Sequence, residues 1–265
     1  MKRIAVILML FFAVVFQAQA QVDYSFGNMK RSRKFKSIPF VGIKGGLTLY
    51  DIKFSDKDYN NLSNDMVVKP AFGLFIEFPL PKFRGFSIGA EVLMVERGMK
   101  KSFDHLGVSE MNQIKSQYID FRIPVTYYFL ISDYINPYIF GAADVAYCYG
   151  GTDEVEFPNG EYPASSVDIS KSDAVLTQLD MSLVAGAGVR FNVIFESFTM
   201  SIKLDASYNF GLLNVKSDVE GTPVNIYAYH TKDDVKWHNR GVELMLSIGI
   251  PLKFNRMHDS CWGWK

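Results

Sequence analysis

V-E-L-M-L-S-I-G-I-P-L-K-F, residues 242–254, alternates without a break: Val242, Leu244, Leu246, Ile248, Ile250, Leu252 and Phe254 are apolar, and Glu243, Met245, Ser247, Gly249, Pro251 and Lys253 fill the gaps. Successive side chains of a strand point to opposite faces, so one face of this segment is hydrocarbon and the other mostly is not. The usual strand of a soluble domain holds this pattern for about 5–6 residues. A strand tilted across a bilayer needs about 9–11 residues within the hydrocarbon, which this segment supplies.

The pattern recurs upstream. Residues 198–212 set Phe198, Met200, Ile202, Leu204, Ala206, Tyr208, Phe210 and Leu212 against Thr199, Ser201, Lys203, Asp205, Ser207, Asn209 and Gly211. Residues 179–193 and 119–129 behave alike, Val184 being the one exception on the polar or small face of the former. Residues 41–49, 72–80, 86–94 and 138–149 carry weaker versions. In the last of these, Ile139, Val145 and Tyr147 are placed outward, because the other phase puts Asp144 in lipid. The expectation is an all-β fold, a transmembrane 8-stranded antiparallel up-and-down β-barrel over residues 39–254.

Connection lengths give an independent argument. Residues 81–85, 131–137 and 194–197 are short links, whereas 50–70, 99–116, 150–177 and 213–240 are long. Such barrels alternate short periplasmic turns with long external loops, so both termini are expected on the periplasmic side. A lipocalin-like barrel or β-sandwich uses the same alternation with the faces reversed. Strand length, loop alternation and glycines on the inner face favour the membrane barrel.

The N-terminus agrees with export. Lys2 and Arg3 precede an apolar run over residues 4–16, and Ala18-Gln19-Ala20 offers small residues to a signal peptidase, which predicts a secretory signal peptide over residues 1–20 cleaved near Ala20. That run is too short for a membrane-spanning helix, which takes about 20 residues. Removing Lys2 and Arg3 from 28 basic residues leaves 26 against 28 acidic ones, a balance that argues against bulk nucleic-acid binding. Residues 21–38 form a periplasmic basic segment in which Lys30, Arg31, Arg33, Lys34 and Lys36 suit contact with anionic headgroups or an acidic protein. Residues 255–265 form a periplasmic tail whose Trp262 and Trp264 suit the membrane interface.

The inward face collects Lys44, Glu77, Glu91, Arg97, Asp120, Arg122, Asp144, Asp180, Arg190, Lys203, Asp205, Glu243 and Lys253. An eight-stranded barrel has an interior just wide enough for side chains to fill. Nearly balanced charges there are expected to pair into a salt-bridge and hydrogen-bond network that plugs the lumen. Cys148 and Cys261 are expected at opposite ends of the barrel, too far apart for a disulfide. Four scattered histidines and two cysteines give no zinc spacing, and no cofactor is expected. His105, His230 and His238, with Asp104, Asp233 and Asp234 nearby in sequence, fall in or near external loops, but no G-x-S-x-G motif accompanies them.

Several stretches resemble the PorT-like family of small outer-membrane β-barrels of the Bacteroidota: F-V-G-I-K-G-G-L-T-L from Phe40, Y-I-D-F-R-I-P-V-T-Y-Y-F from Tyr118, P-Y-I-F-G-A-A-D-V-A-Y from Pro137, V-A-G-A-G-V-R-F from Val184 and Y-N-F-G-L-L-N from Tyr208. The resemblance spans the barrel and implies the fold and the Gram-negative outer membrane. Its founding member is associated with type IX secretion, yet many relatives share only the barrel, and fold does not carry function. The function expected is a non-enzymatic structural or interaction protein of the envelope, or an accessory of type IX secretion. Its expected partners are outer-membrane lipids, lipopolysaccharide and other envelope or secretion proteins. The alternatives are an outer-leaflet enzyme hydrolysing lipid or peptide, and a narrow pore.

Overall fold

Alternation of apolar and polar residues over this many segments leaves every strand with an apolar face to cover, and closing the sheet on itself removes both edges. The computed structural model describes residues 39–55, 63–65, 67–80, 82–105, 108–132, 134–156, 165–168, 176–194, 199–216 and 236–252. Within them run β1 (Phe40–Phe54), β2 (Ser63–Asp65), β3 (Val67–Pro79), β4 (Phe86–His105), β5 (Val108–Tyr128), β6 (Ile135–Glu156), β7 (Ser165–Asp168), β8 (Leu179–Ile194), β9 (Thr199–Gly211) and β10 (Trp237–Pro251). The long strands follow the order β4-β3-β1-β10-β9-β8-β6-β5, and β5 pairs back onto β4. The result is a closed eight-stranded antiparallel barrel with no helix among the described residues. β2 adds to the far end of β4, and β7 to that of β6.

The first and last staves close the barrel along their whole length, from Phe40↔Pro251 to Phe54↔Trp237. Phe40 and Pro251 therefore lie at the same end as the short turns after β3, β5 and β8. Gly85, at φ 87°, belongs to one of these turns, where its left-handed backbone lets Tyr128 donate its N–H to the Gly85 carbonyl.

Polarity decides which face meets lipid. Ile43 and Leu74 are 61% and 62% exposed, while Arg97 and Glu243 are wholly buried. The outward row of β10, from Val242 through Ile250, and that of β3, from Val68 through Phe78, are exposed hydrocarbon with few interruptions. In water such a surface would be covered, whereas in a bilayer it is the solvent-matched face. The soluble-barrel arrangement, with apolar residues inside, is excluded by this inversion.

All eight staves lie where the alternation places them, but several strands are longer than it indicates. Residues 99–116, expected as an external loop, continue β4 and β5 as a hairpin paired up to His105↔Val108. Likewise β1 runs on to Phe54, β3 starts at Val67, and β6 extends to Glu156 with β7 beside it. On these extensions the inner face turns apolar, with Ile52, Phe54, Met99, Ile114 and Trp237 packed together, so the polar-in, apolar-out alternation lapses while the pairing persists.

One bulge re-aims the extension. Gln117 pairs with Gly150 and Tyr118 with Cys148, leaving Tyr149 as the extra residue. Beyond it the parity of β6 switches, which turns Asp153 inward to 2% exposure and Glu154 outward to meet Lys115. Gly151 follows at φ 155°, and a Cβ there would sit 2.1 Å from the Lys115 carbonyl oxygen, so only glycine fits.

Candidate functional site

Among the described residues, the lumen gathers the densest set of charged and hydroxyl-bearing side chains, and it is stacked in layers. Nearest the short turns, Glu77 accepts hydrogen bonds from Lys203 and, at 2.7 Å, from the Tyr128 hydroxyl. The Arg190 guanidinium lies 4.4 Å from the Phe40 ring centroid and donates through Nε to Asn192 at 2.9 Å. Tyr128, Tyr138, Phe140, Ala142 and Val184 pack here as an apolar cluster. β8 makes room for it with glycine: a Cβ at Gly186 or Gly188 would stand 2.6 or 2.7 Å from the ring of Phe140 or Tyr138.

The next layer joins Lys44 to Glu91 at 3.1 Å and to Asp205 at 3.8 Å, with the Tyr138 hydroxyl donating to Asp205 at 2.9 Å. A cavity of about 20 Å³ lined by Lys44, Glu77, Glu91, Lys203 and Asp205 remains between these two layers. It has room for about one water.

Above it lies the densest layer. Arg122 grips Glu243 with both terminal nitrogens, at 2.7 and 3.0 Å, and Tyr50 donates to the same carboxylate. The Nη2 of Arg122 also reaches Asp120 at 3.2 Å. Arg97 gathers three carboxylates from three other strands: Asp120 on β5 at 2.6 Å, Asp180 on β8 at 2.8 Å and Asp144 on β6 at 3.2 Å. Its guanidinium is sandwiched between the rings of Tyr50 and Tyr118, 5.0 and 4.7 Å away. Asn239 donates to Asp180, and Ser182 and Asn209 donate to Asp144. A planar guanidinium with five donors and two stacking faces is the one side chain able to serve so many partners at once.

An apolar layer closes the lumen toward the long loops. Ile52, Phe54, Met99, Ile114, Tyr118, Ala146, Cys148, Leu176, Val215 and Trp237 pack together, each buried. Phe54 meets Trp237 edge to face at 5.3 Å. Cys148 is a free thiol, its Sγ 3.6 Å from the Gly150 carbonyl oxygen.

The twelve charged residues from Lys44 to Glu243 that the alternation turns inward are thus brought into one lumen. Lys253, Cys261, the basic segment from Lys30 to Lys36, Trp262, Trp264, His230, Asp233 and Asp234 lie outside the described residues. His105 ends β4, and His238 sits on β10 with the barrel's β3 and β1 between these two strands. No grouping of His, Cys, Asp or Glu able to hold a metal occurs among the described residues. The uncharged partners Tyr50, Tyr118, Tyr128, Tyr138, Asn209 and Asn239 are not among the charged candidates, although each shares the parity of charged inward neighbours on its strand. Tyr128, Tyr138 and Asn209 lie within the alternating segments, and Tyr50, Tyr118 and Asn239 one to three residues beyond them, so the period itself points to all six.

Several solved structures are similar to this chain. Neisserial surface protein A covers 80% of this chain with 96% of its own, at 10% identity and a TM-score of 0.43. The outer membrane protein OprG from Pseudomonas aeruginosa covers 83% with 97% of its own, at 12% identity and a TM-score of 0.36. The outer membrane protease OmpT from Escherichia coli covers 86% with 99% of its own, at 10% identity and a TM-score of 0.42. No curated protein sequence matches. The family model of the outer membrane protein beta-barrel domain matches residues 16–217, from before β1 through β9. With the closed barrel, its apolar exterior and its charged lumen, this match makes the chain a member of that outer-membrane β-barrel family.

Proposed function

We propose that this protein is a sealed, non-enzymatic barrel serving the outer membrane as a structural and interaction protein. The observation that carries the reading is the lumen: Arg97, Arg122 and their carboxylates fill it from wall to wall beneath a buried apolar layer. A conduit needs a wet path, and a hydrolase needs an accessible nucleophile beside a base. The terminal nitrogens of both guanidiniums are engaged by carboxylates from several strands, so the charges serve to hold the staves together. Export through a signal peptide cleaved near Ala20 fits the same role, as does a periplasmic basic segment around Lys30, Arg31, Arg33, Lys34 and Lys36.

The stretches shared with the PorT-like family support a finer assignment, an accessory of type IX protein secretion that acts by contact with envelope partners. Crosslinking in intact cells tests it, with photoreactive groups placed in the basic segment and in the external loops. Capture of secretion components is the expected result, and recovery of lipid and lipopolysaccharide alone would reduce the role to a structural one. Purified protein should stay silent in planar bilayers. Hydrolysis of lipid or peptide that disappears on His105→Ala, His230→Ala or His238→Ala would establish the enzyme instead.

A further inference from the structure

The ladder that joins β3 to β4 breaks at the level where the outward row of β4 passes from Met94 to Glu96. It runs from Pro79↔Ser87 to Ala71↔Val95 and resumes only at Asp65↔Lys100, on β2, with five residues, 66–70, set against four, 96–99. Among the described residues, Val67, Val68, Lys69 and Pro70 pair with β1 alone, and Glu96, Arg97, Gly98 and Met99 with β5 alone. Pro70 has no N–H to give to a ladder, and the extra residue throws the two strands out of register. The wall therefore carries a seam about four residues, or roughly 13 Å, long.

A hydroxyl and an ion pair bridge the seam. Thr48, wholly buried, sets its hydroxyl 3.1 Å from the Lys69 carbonyl oxygen and 3.4 Å from that of Glu96, one proton for two acceptors. Lys69 lies opposite the inward Thr48 and so starts on the lumenal face. Glu96 alternates with the buried Val95 and Arg97 and so starts on the outer face. Their ion pair therefore passes through the wall, with 20% of the lysine side chain and 25% of the glutamate side chain exposed. Partly exposed pairs hold weakly, and a stretch with this few ladder bonds belongs to the low-stability end of a structure.

Apolar surface meets the seam from both sides. On the lipid face a groove of about 700 Å³ runs between Ile43, Phe72, Leu74, Met94 and Leu246, over Gly45, whose missing side chain leaves its floor open. It reaches Phe72↔Met94, one pair short of the break. On the lumenal face Ala71 and Val95, the last pair of the ladder, pack with Tyr50, Leu93 and Met245 as a buried apolar cluster. We propose that the seam is a lateral port, latched by Lys69 and Glu96, that lets one acyl chain of a lipid in the long-loop leaflet pass from the groove to this cluster. The groove is continuous with the lipid-facing surface, so a chain already lies at its mouth, and both ends of the path are hydrocarbon. The port ends against the waist filled by Arg97 and Arg122, so the barrel stays sealed along its axis. The inference goes beyond the structural role proposed above and depends on no secretion partner.

Photocrosslinking in nanodiscs tests it, with a phosphatidylethanolamine carrying a diazirine on one acyl chain as the probe and adducts mapped by peptide mass spectrometry. Heat-modifiable migration serves as the control for folding. The outward Phe72 and Met94 are expected to be labelled in every variant, and the lumenal Ala71 and Val95 weakly in the wild type. Lys69→Glu or Glu96→Lys turns the latch into a like-charge pair and is expected to raise labelling of Ala71 and Val95 about fivefold, the population shift that one exposed ion pair holds back. Lys69→Glu combined with Glu96→Lys restores opposite charges and is expected to return labelling to the wild-type level, a reversal that a loosened barrel does not produce. Unchanged labelling of Ala71 and Val95 in the folded single variants would overturn the proposal, as would an exchange variant labelled like the single ones. So would equal labelling of Ala146 in the apolar cap, which reports general loosening, or lumenal labelling by diazirine-bearing stearic acid alone, which would make the ligand a free fatty acid.

Discussion

Arg97 concentrates more partners than any other described side chain in the lumen, and it is where a single substitution should matter most. Arg97→Met leaves Asp120, Asp144 and Asp180 buried around an uncharged side chain. Removing one member of a buried ion network typically costs about 3–5 kcal/mol, and a fall of that size is expected in urea unfolding of the barrel in detergent, read from the heat-modifiable band. Arg97→Lys keeps the charge but not the fork or the stacking faces, so the expected loss is smaller, about 1–3 kcal/mol. On the lipid side, Leu74→Arg places a charge in the middle of the outward row of β3, where the cost is about 2–4 kcal/mol in the same unfolding experiment. The inward position of Arg97 was legible from its phase with Glu91. Its three carboxylate partners were not: Asp120 on the neighbouring β5 comes within reach through strand register, and Asp144 on β6 and Asp180 on β8 face β4 only after the sheet has closed.

At the scale of elements, the barrel divides into staves fixed by lipid and extensions fixed by pairing. The β4–β5 ladder below Met99↔Ile114 belongs to the membrane-crossing part, and the ladder from Lys100↔Gln113 to His105↔Val108 stands beyond it. Replacing residues 100–113 by a two-residue turn is therefore expected to leave a folded, heat-modifiable barrel, with a stability loss smaller than that of Arg97→Met. The bulge at Tyr149 is less forgiving. Gly151→Val puts a branched side chain where a Cβ already meets the Lys115 carbonyl oxygen and where φ is 155°, so about 1–3 kcal/mol of strain is expected. Faster hydrogen exchange over residues 112–118 and 150–156 should report it. These extensions escaped the periodicity for a physical reason: beyond the hydrocarbon the outer face is no longer held apolar by lipid, and the inner face changes from charged to apolar around Ile52, Met99, Ile114 and Trp237, so the polar-in, apolar-out signature is lost.

As a whole, the molecule is a barrel filled along its length, with charged layers between an apolar cluster at each end. The Arg97 and Arg122 layer fills the waist, and the cluster around Met99, Ile114 and Trp237 caps it on the loop side. Met99→Ala with Trp237→Ala should lower stability by about 5 kcal/mol or more without conductance in planar bilayers, because the charged layer beneath still blocks the path. Ion flow in that variant would show that the apolar cap alone seals the lumen.

Residues 242–254 and their counterparts determined by themselves that the chain forms eight transmembrane staves, which face of each meets lipid, and that the inner face is charged. A bilayer imposes those features residue by residue, through a period of two that no neighbouring strand needs to confirm. Tertiary structure alone decided which charges meet, how far the strands rise beyond the membrane, and that Lys69 and Glu96 meet through a break in the ladder. Those contacts depend on strand register, tilt and closure, which bring together residues as distant in sequence as Arg122 and Glu243.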